Sequence, residues 1–461
     1  MSVIFFASVL LKGIGAGLEV IFQVLITRKI GVDGYGNFST WINFADLIFW
    51  VFFSALTKCN TYYLSVKNTS IGKFKRKYYF KYVIPALIVF CTAVLVIGKP
   101  WYCCIFLITG LELFTLDQSS TLLAQKHQMV SLTGEYIVGR VILVAGFFVL
   151  SAGNKLSSET LLMLYVFQYC VIIAMFCIFR GMHSEHREDL SHTVSVKKWR
   201  SYQRADFIQS LIGQMPVIIQ YFFAGAFEAG VVSVVLTVKK LINFISGPTA
   251  KIFLPEFSRL YREGKKEKIC ECYGMIMRIQ MLFVGPLAVV LIGYPRAILR
   301  ILDAKLTDYA FLFSLCSAIF IFAATLGPCS GMLQMTGNEK WDNQFREIAL
   351  AVMVIVMVIF RKDNLFVLYG LCAQALLEEI GKYYYVSKWM GQTPVKVWTY
   401  MSWWIVPVSV IVVTYVLQVN ESYISMMIAA CIVLGVSIAG EIRKEGELLK
   451  LFTGLLKKRK G

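Results

Sequence analysis

Two adjacent lysines, Lys239 and Lys240, lie inside the apolar stretch VVLTVKKLINF, which runs from residue 234 to residue 244. A charge at the centre of a membrane helix costs on the order of 3 kcal/mol or more, so such a residue is expected to bind a substrate or a partner. On a helix the two side chains point about 100° apart. Lys240 shares its face with polar residues, whereas the near neighbours of Lys239 are aliphatic. The pattern predicts that the two lysines have different roles. The alternative is that both lysines snorkel or pair with a glutamate.

Other polar side chains form stripes in the first two apolar segments. Lys12, Glu19 and Gln23 fall on one helix face, and Asn43 and Asp46 belong to a second stripe. Polar stripes on membrane helices face protein or water rather than lipid. We expect a water-filled cleft beside these helices; hydrogen bonding between helices is the alternative.

Charges in later apolar segments need partners of their own. Asp117 and Arg140 should lie at similar depths on either side of one loop, which predicts a structural ion pair and leaves Glu112 without a partner. Glu378 and Lys382 are four residues apart, a spacing that suits a pair on the surface of one helix.

The composition is that of an all-α integral membrane protein. Of 461 residues, 57% are hydrophobic and 16% are charged, against about 25% charged residues in soluble domains. The net charge of +18 is spread over short patches between apolar blocks. Such patches are typical of cytoplasmic loops, so nucleic acid is not an expected partner.

The sequence predicts neither a metal site nor a cofactor. His183 and His186 stand in a hydrophilic loop without further ligands, and the cysteines show no paired C-x-x-C spacing. No G-x-x-x-x-G-K-[ST] segment occurs, so ATP hydrolysis of the Walker type is not expected of this chain.

Segmentation by hydropathy predicts about fourteen membrane spans. Their approximate bounds are 4–27, 38–60, 80–98, 101–123, 133–153, 160–179, 206–226, 230–251, 275–294, 309–333, 345–361, 365–385, 398–418 and 423–441. The loops richest in lysine and arginine follow even-numbered spans, which puts both termini in the cytoplasm.

A repeated motif predicts an internal duplication. G-x4-G-x2-S occurs at Gly31, Gly36 and Ser39 and again 194 residues later, and the same offset relates two basic loops. Parallel repeats are common in transporters, in which the substrate site lies in the cleft between the two halves. The predicted first lobe, 1–200, has six helices and a basic cytoplasmic linker, and the second six-helix lobe is 201–396. Helices 13 and 14 occupy 397–441, and a basic amphipathic cytoplasmic tail follows at 442–461.

Three segments resemble polysaccharide flippases of the multidrug/oligosaccharidyl-lipid/polysaccharide exporter superfamily. RKIGVDGYGNFS (28–39) resembles the segment after that family's first helix. VKKLINFISGPTAKIFLPEFSRLYREGKKEK (238–268) is similar to its eighth helix and the following loop, and GPLAVVLIGYPRAILRILD (285–303) to its ninth helix. The family usually has a tyrosine near position 232, where this chain has Val232.

The resemblance implies two pseudo-symmetric six-helix bundles, two further helices and a lipid-linked substrate. The family's eighth helix carries a basic residue at the position of Lys240, where it would attract the pyrophosphate that joins the sugars to their polyprenol carrier. Lysine binds phosphate as a point charge without imposing one orientation.

The function predicted is flipping of a polyprenyl-pyrophosphate-linked oligosaccharide across the bacterial cytoplasmic membrane by alternating access. Membrane lipids are expected neighbours, H⁺ or Na⁺ are candidate coupling ions, and a polysaccharide polymerase and glycosyltransferases are candidate partners. The alternatives are a cation-coupled multidrug exporter of the same superfamily and an integral membrane polymerase or acyltransferase. The candidate substrate-binding residues are Lys240, Lys239, Lys12 and Arg140; the candidate ion-coupling residues are Asp46, Glu19, Glu112 and Asp117.

Overall fold

The computed structural model describes residues 2–57, 59–60, 72–85, 88–89, 92, 103–125, 127–182, 196–392 and 404–443. Within these ranges the regular elements are all helical, as a chain that must satisfy its backbone hydrogen bonds inside a bilayer requires. The α-helices, in chain order, are α1 (Ser2–Phe52), α2 (Gly72–Tyr78), α3 (Cys103–Ala124), α4 (Gln128–Leu132), α5 (Gly139–Ala152), α6 (Ser158–Met182), α7 (Val196–Gly213), α8 (Met215–Ala224), α9 (Ala226–Arg262), α10 (Lys266–Ala288), α11 (Pro295–Leu302), α12 (Ala310–Thr325), α13 (Cys329–Met335), α14 (Glu339–Ile359), α15 (Phe366–Met390), α16 (Ile405–Val416) and α17 (Tyr423–Arg443).

Six helical segments in the described ranges are long and apolar enough to cross a membrane. They are Leu10–Phe52, Met129–Ala152, Ser158–Phe179, Asp206–Ala224, Lys266–Gly293 and Ala304–Met335. Two shorter apolar helices follow at Ile405–Val416 and Tyr423–Ala439. The chain is therefore a multi-pass helical membrane protein, and the number fourteen stays a prediction. Most of span 80–98, both loop histidines and nearly all of the tail 442–461 lie outside the described residues.

The chain divides into two compact units, one of residues 3–233 and one that begins at Val234. The division falls within α9, so this helix contributes its first turns to one unit and the rest to the other. The lobe boundaries predicted from the sequence stay predictions.

Two glycines of the repeated motif break helices in the same way. Gly31 interrupts α1 with φ 76° and ψ 173°, and Gly225 separates α8 from α9 with φ 112° and ψ −177°. Positive φ is accessible to glycine without steric cost. The loop predicted between the first two spans is therefore one non-helical residue, with helix on both sides.

The second glycine of each motif copy contacts the other copy within the unit 3–233. A β-carbon on Gly36 would overlap the carbonyl oxygen of Ala226, and one on Gly230 would lie 2.5 Å from the carbonyl oxygen of Val32. Val32 and Ala226 are themselves related by the repeat offset. The contact is thus reciprocal, as in an interface between two-fold related copies.

The serine of each copy completes the contact. The hydroxyl oxygens of Ser39 and Ser233 are 2.8 Å apart, and both residues are buried. Because each serine meets its own equivalent, a local pseudo-two-fold axis passes between them. This geometry explains why the motif needs glycine and serine at these positions.

The unit that begins at Val234 has a core around Tyr273 of α10. Its hydroxyl donates to the carbonyl oxygen of Leu326 at 2.6 Å, in the break between α12 and α13. Buried residues of α9, α10, α13 and α15 surround it, among them Phe257, Met332 and Val386. This packing fixes α15 against α9 and α13 and so positions the charged groups on these helices.

Helices α16 and α17 belong to the same unit. Ala429 and Val433 of α17 pack against Val289 and Tyr294, which lie beyond the end of α10. The two helices predicted at the C-terminal end are therefore part of this unit's core.

Candidate functional site: two buried groups of charges

Four of the predicted site residues come together in the unit 3–233, and we call them the carboxylate cluster: Glu19, Asp46, Glu112 and Arg140. Arg140 of α5 pairs with Glu19 of α1 at 3.2 Å. Tyr165 of α6 is hydrogen-bonded to Arg140 as well. Helix α1 thus meets the consecutive helices α5 and α6 at one guanidinium.

The other two carboxylates of the cluster are close to each other. Asp46 of α1 lies near enough to Glu112 of α3 for the two charges to interact, and both interact with Tyr169 of α6. Glu112 is only 7% exposed, and its Oε2 has no hydrogen-bond partner. Three carboxylates and one guanidinium leave an excess of negative charge, an arrangement that suits a bound cation.

The predicted pairing of Asp117 with Arg140 is wrong. Asp117 accepts hydrogen bonds from Lys75 at 2.9 and 2.8 Å and from the Asn60 amide at 3.1 Å. Lys75 belongs to α2, in the basic segment that the sequence assigns to a cytoplasmic loop. A long lysine side chain reaches back to a buried carboxylate, which depth alone could not predict, and Arg140 is left for Glu19.

Lys12 contacts Tyr136, which also interacts with Glu19 and Arg140 of the carboxylate cluster. Its ammonium is 5.5 Å from the ring centroid of Tyr136, and Glu135 interacts with it electrostatically. Gly15 allows this approach, because a β-carbon there would be 2.6 Å from the Tyr136 carbonyl oxygen. Lys12 and Glu19 therefore share Tyr136 as a neighbour, and Glu19 pairs in addition with Arg140.

The two lysines of α9 differ in exposure and surroundings. Lys240 is exposed and Lys239 is half-buried. Lys239 donates to the amide oxygen of Gln374 at 3.2 Å, and its ammonium lies 5.4 Å from the ring centroid of Phe320. The neighbours of Lys239 on its own helix are aliphatic, as expected. The prediction of aliphatic surroundings is wrong for the other helices, which bring Gln374 and Phe320 to its ammonium.

A second group of charges occupies α14 and α15, and we call it the ion-pair network: Asp342, Arg346, Glu378 and Lys382. Lys382 has no exposed surface and pairs with Asp342 at 2.7 Å and with Glu378 at 2.6 Å, so the predicted helix pair of Glu378 and Lys382 is confirmed. The ammonium also donates a hydrogen bond to the hydroxyl oxygen of Ser330 at 2.7 Å.

Arg346 completes the ion-pair network. It lies 3.3 Å from Asp342 and 3.5 Å from Glu378. Sequence reasoning missed Asp342 because the predicted span begins at residue 345, whereas α14 begins at Glu339, and without Asp342 the neighbouring Arg346 had no predicted partner on its helix. Their spacing of four residues, equal to that of Glu378 and Lys382, was a signal for them.

Among the described residues, no group of three or more histidine, cysteine, aspartate or glutamate side chains could hold a metal ion by the usual geometry. The described residues offer instead the carboxylate cluster, a buried ion-pair network and the exposed Lys240, which follows a buried, mostly apolar stretch of α9.

Comparisons with known proteins concern the whole fold. The sequence matches no protein-family model and no curated protein. The structure is similar to that of "Lipid II flippase MurJ, inward closed conformation", with a TM-score of 0.62 and 14% identity over 96% of this chain and 99% of that one. It is also similar to a MATE protein in complex with MaL6, with a TM-score of 0.52 and 11% identity over 84% of this chain and 96% of that one. The chain therefore has a helical fold similar to those of these two structures.

Proposed function

We propose that the protein flips a polyprenyl-pyrophosphate-linked oligosaccharide from the inner to the outer leaflet of the bacterial cytoplasmic membrane, for cell-surface polysaccharide synthesis. Two facts support the proposal. The fold is similar over nearly its full length to that of a lipid II flippase, and three sequence segments resemble polysaccharide flippases.

The observation that carries the proposal is the exposed Lys240 in the interior of α9. The residues before it, from Val231 to Leu236, are buried and apolar except Ser233. A membrane protein keeps a lysine in such a place only if its charge is used, because the cost of burying it in lipid is several kcal/mol. A diphosphate head group is the ligand that a mobile ammonium suits.

The carboxylate cluster supplies a route for coupling to a cation. Alternating access would be driven by H⁺ or Na⁺ binding near Asp46 and Glu112. The unsatisfied oxygen of Glu112 supports this assignment, since a buried polar atom without a partner costs about 1–3 kcal/mol and a bound cation would relieve that cost.

The same cluster favours the second candidate function, a cation-coupled multidrug exporter, whose fold is also similar. The charge on α9 separates the two candidates. A site for cationic drugs would be weakened by the exposed ammonium of Lys240, whereas a site for an anionic head group would be strengthened by it.

Substitutions at Lys240 test the proposal. Lys240→Arg should retain part of the activity, Lys240→Ala should lower it by about tenfold or more, as expected for the loss of one charge-assisted hydrogen bond, and Lys240→Glu should be worst. The assay is surface glycan in a strain without this protein, with the membrane level of each variant measured alongside. A fully active, well-inserted Lys240→Ala variant would exclude the role of this lysine.

Orientation belongs to the same proposal. With both termini in the cytoplasm, the loop that joins α16 and α17 faces outwards. A thiol introduced at Asn420 should then react with an impermeant reagent added to whole cells, and protection of that thiol would reverse the orientation.

A further inference from the structure

The two adjacent lysines of α9 differ in their contacts and exposure. We infer that Lys239 is a positioning residue: its hydrogen bond to Gln374 fixes the rotation of α9 about its own axis and so keeps Lys240 exposed. The inference rests on the proposed function only for the substrate-binding role of Lys240.

The first step is that Gln374 is itself immobilised. It is 2% exposed, and while its Oε1 accepts from Lys239, its Nε2 donates to Glu378. Both ends of the amide are used, so the side chain can neither flip nor change rotamer without losing a hydrogen bond.

The second step is that Glu378 is held as firmly. Lys382 and Arg346 lie 2.6 and 3.5 Å from its Oε1. A buried carboxylate with two cationic partners resists displacement, because movement would leave charges uncompensated. Lys239 is therefore tied, through one amide, to a group anchored on α14 and α15.

The third step is geometric. Neighbouring residues on a helix point about 100° apart, so a fixed direction for Lys239 determines the direction of Lys240. Phe320 of α12 adds a second restraint, since the Lys239 ammonium lies 5.4 Å from its ring centroid. Two helices thus define the direction of Lys239, and Lys240 points elsewhere.

A matched pair of neutral variants separates positioning from anion binding. Lys239→Gln removes the charge and keeps a hydrogen-bond donor for Gln374, whereas Lys239→Met removes both. If Lys239 positions α9, the Gln variant should transport nearly as well as the parent, and the Met variant should be lower by about tenfold. Equal losses in both variants would show that the charge of Lys239 is what matters, and would overturn the inference.

Thiol labelling gives a readout that does not depend on the substrate. Lys240→Cys, in a chain whose native cysteines are replaced by serine, is treated with a charged methanethiosulfonate and the labelling rate is measured. Adding Lys239→Met or Gln374→Met should change this rate by about tenfold, and adding Lys239→Gln should not. An unchanged rate in both Met variants would refute the positioning role.

The transport and labelling experiments distinguish failure of the proposed function from failure of the inference about Lys239. If proteoliposomes that contain the parent protein move no polyprenyl-pyrophosphate oligosaccharide, the proposed function fails while the labelling arm still decides the role of Lys239. If the parent transports and the Met variants leave both transport and labelling unchanged, only the inference about Lys239 fails.

Discussion

The carboxylate cluster and the ion-pair network use the same residue types and differ in charge balance. In the ion-pair network two carboxylates face two cations, and each charge has an opposite charge within 3.5 Å. In the carboxylate cluster Arg140 pairs with Glu19, while Asp46 and Glu112 lie close enough for their charges to interact with each other. A balanced group holds helices in place, whereas an unbalanced group is ready for a cation. Burial of charge alone therefore does not identify a functional site, and the role of the carboxylate cluster in cation coupling is a proposal that the following variants test.

The largest effect is expected from removing a cation of the ion-pair network. Lys382→Met leaves Asp342 and Glu378 with Arg346 as their remaining partner, and the loss of one member of a buried pair costs about 3–5 kcal/mol. The detergent-solubilised variant should unfold at a clearly lower temperature when followed by size-exclusion chromatography after heating. A melting temperature equal to that of the parent would show that the network contributes nothing to stability.

The reverse outcome is expected from the carboxylate cluster. Glu112→Gln replaces a buried carboxyl group that lies close to Asp46 with a neutral side chain of the same size, so the melting temperature should hold or rise while transport falls by about tenfold through lost coupling. Transport into inverted membrane vesicles, with and without a proton or sodium gradient, measures this effect. A variant that still responds to the gradient as the parent does would remove Glu112 from the coupling site.

A smaller effect is expected at Asp117. Asp117→Asn breaks the ion pair with Lys75, but Lys75 keeps some exposure to water and Asn60 can still donate to the new amide oxygen. We expect a loss of about 1–3 kcal/mol in unfolding free energy, with the dependence of transport on the gradient retained. Loss of that dependence would return Asp117 to the candidate ion-coupling residues.

The smallest effect is expected at an exposed pair used as a control. Arg300 and Arg296 donate to Glu421 at 3.0 and 3.1 Å, and these hydrogen bonds hold the pKa of Glu421 below its ordinary value. A lowered pKa means that any stabilisation is present at neutral pH and lost as the pH falls through that pKa. Solvent screens exposed pairs, so Glu421→Gln should leave the melting temperature unchanged at pH 7. A marked decrease in melting temperature would show that this exposed ion pair contributes to stability despite its exposure.

The sequence alone determined that the chain spans a membrane, because long apolar blocks separated by basic patches have no other stable solution. It also indicated the repeat, since glycine and serine recurred at one offset, and it predicted the pair of Glu378 and Lys382, which are one helical turn apart. Each of these inferences depends on residues close together in the chain or on the comparison of one segment of the sequence with another.

The tertiary structure decided which charges meet. Arg140 forms an ion pair with Glu19 rather than with Asp117, and Lys239 donates a hydrogen bond to Gln374, a residue 135 positions away. It also brought Gly36 and Gly230 into contact, which turned a sequence repeat into a reciprocal interface. Hydropathy and helical periodicity report the depth and the face of a residue, but they do not report which helix packs against that face. Partners of a buried charge are set by helix packing, and for that reason only the folded chain could name them.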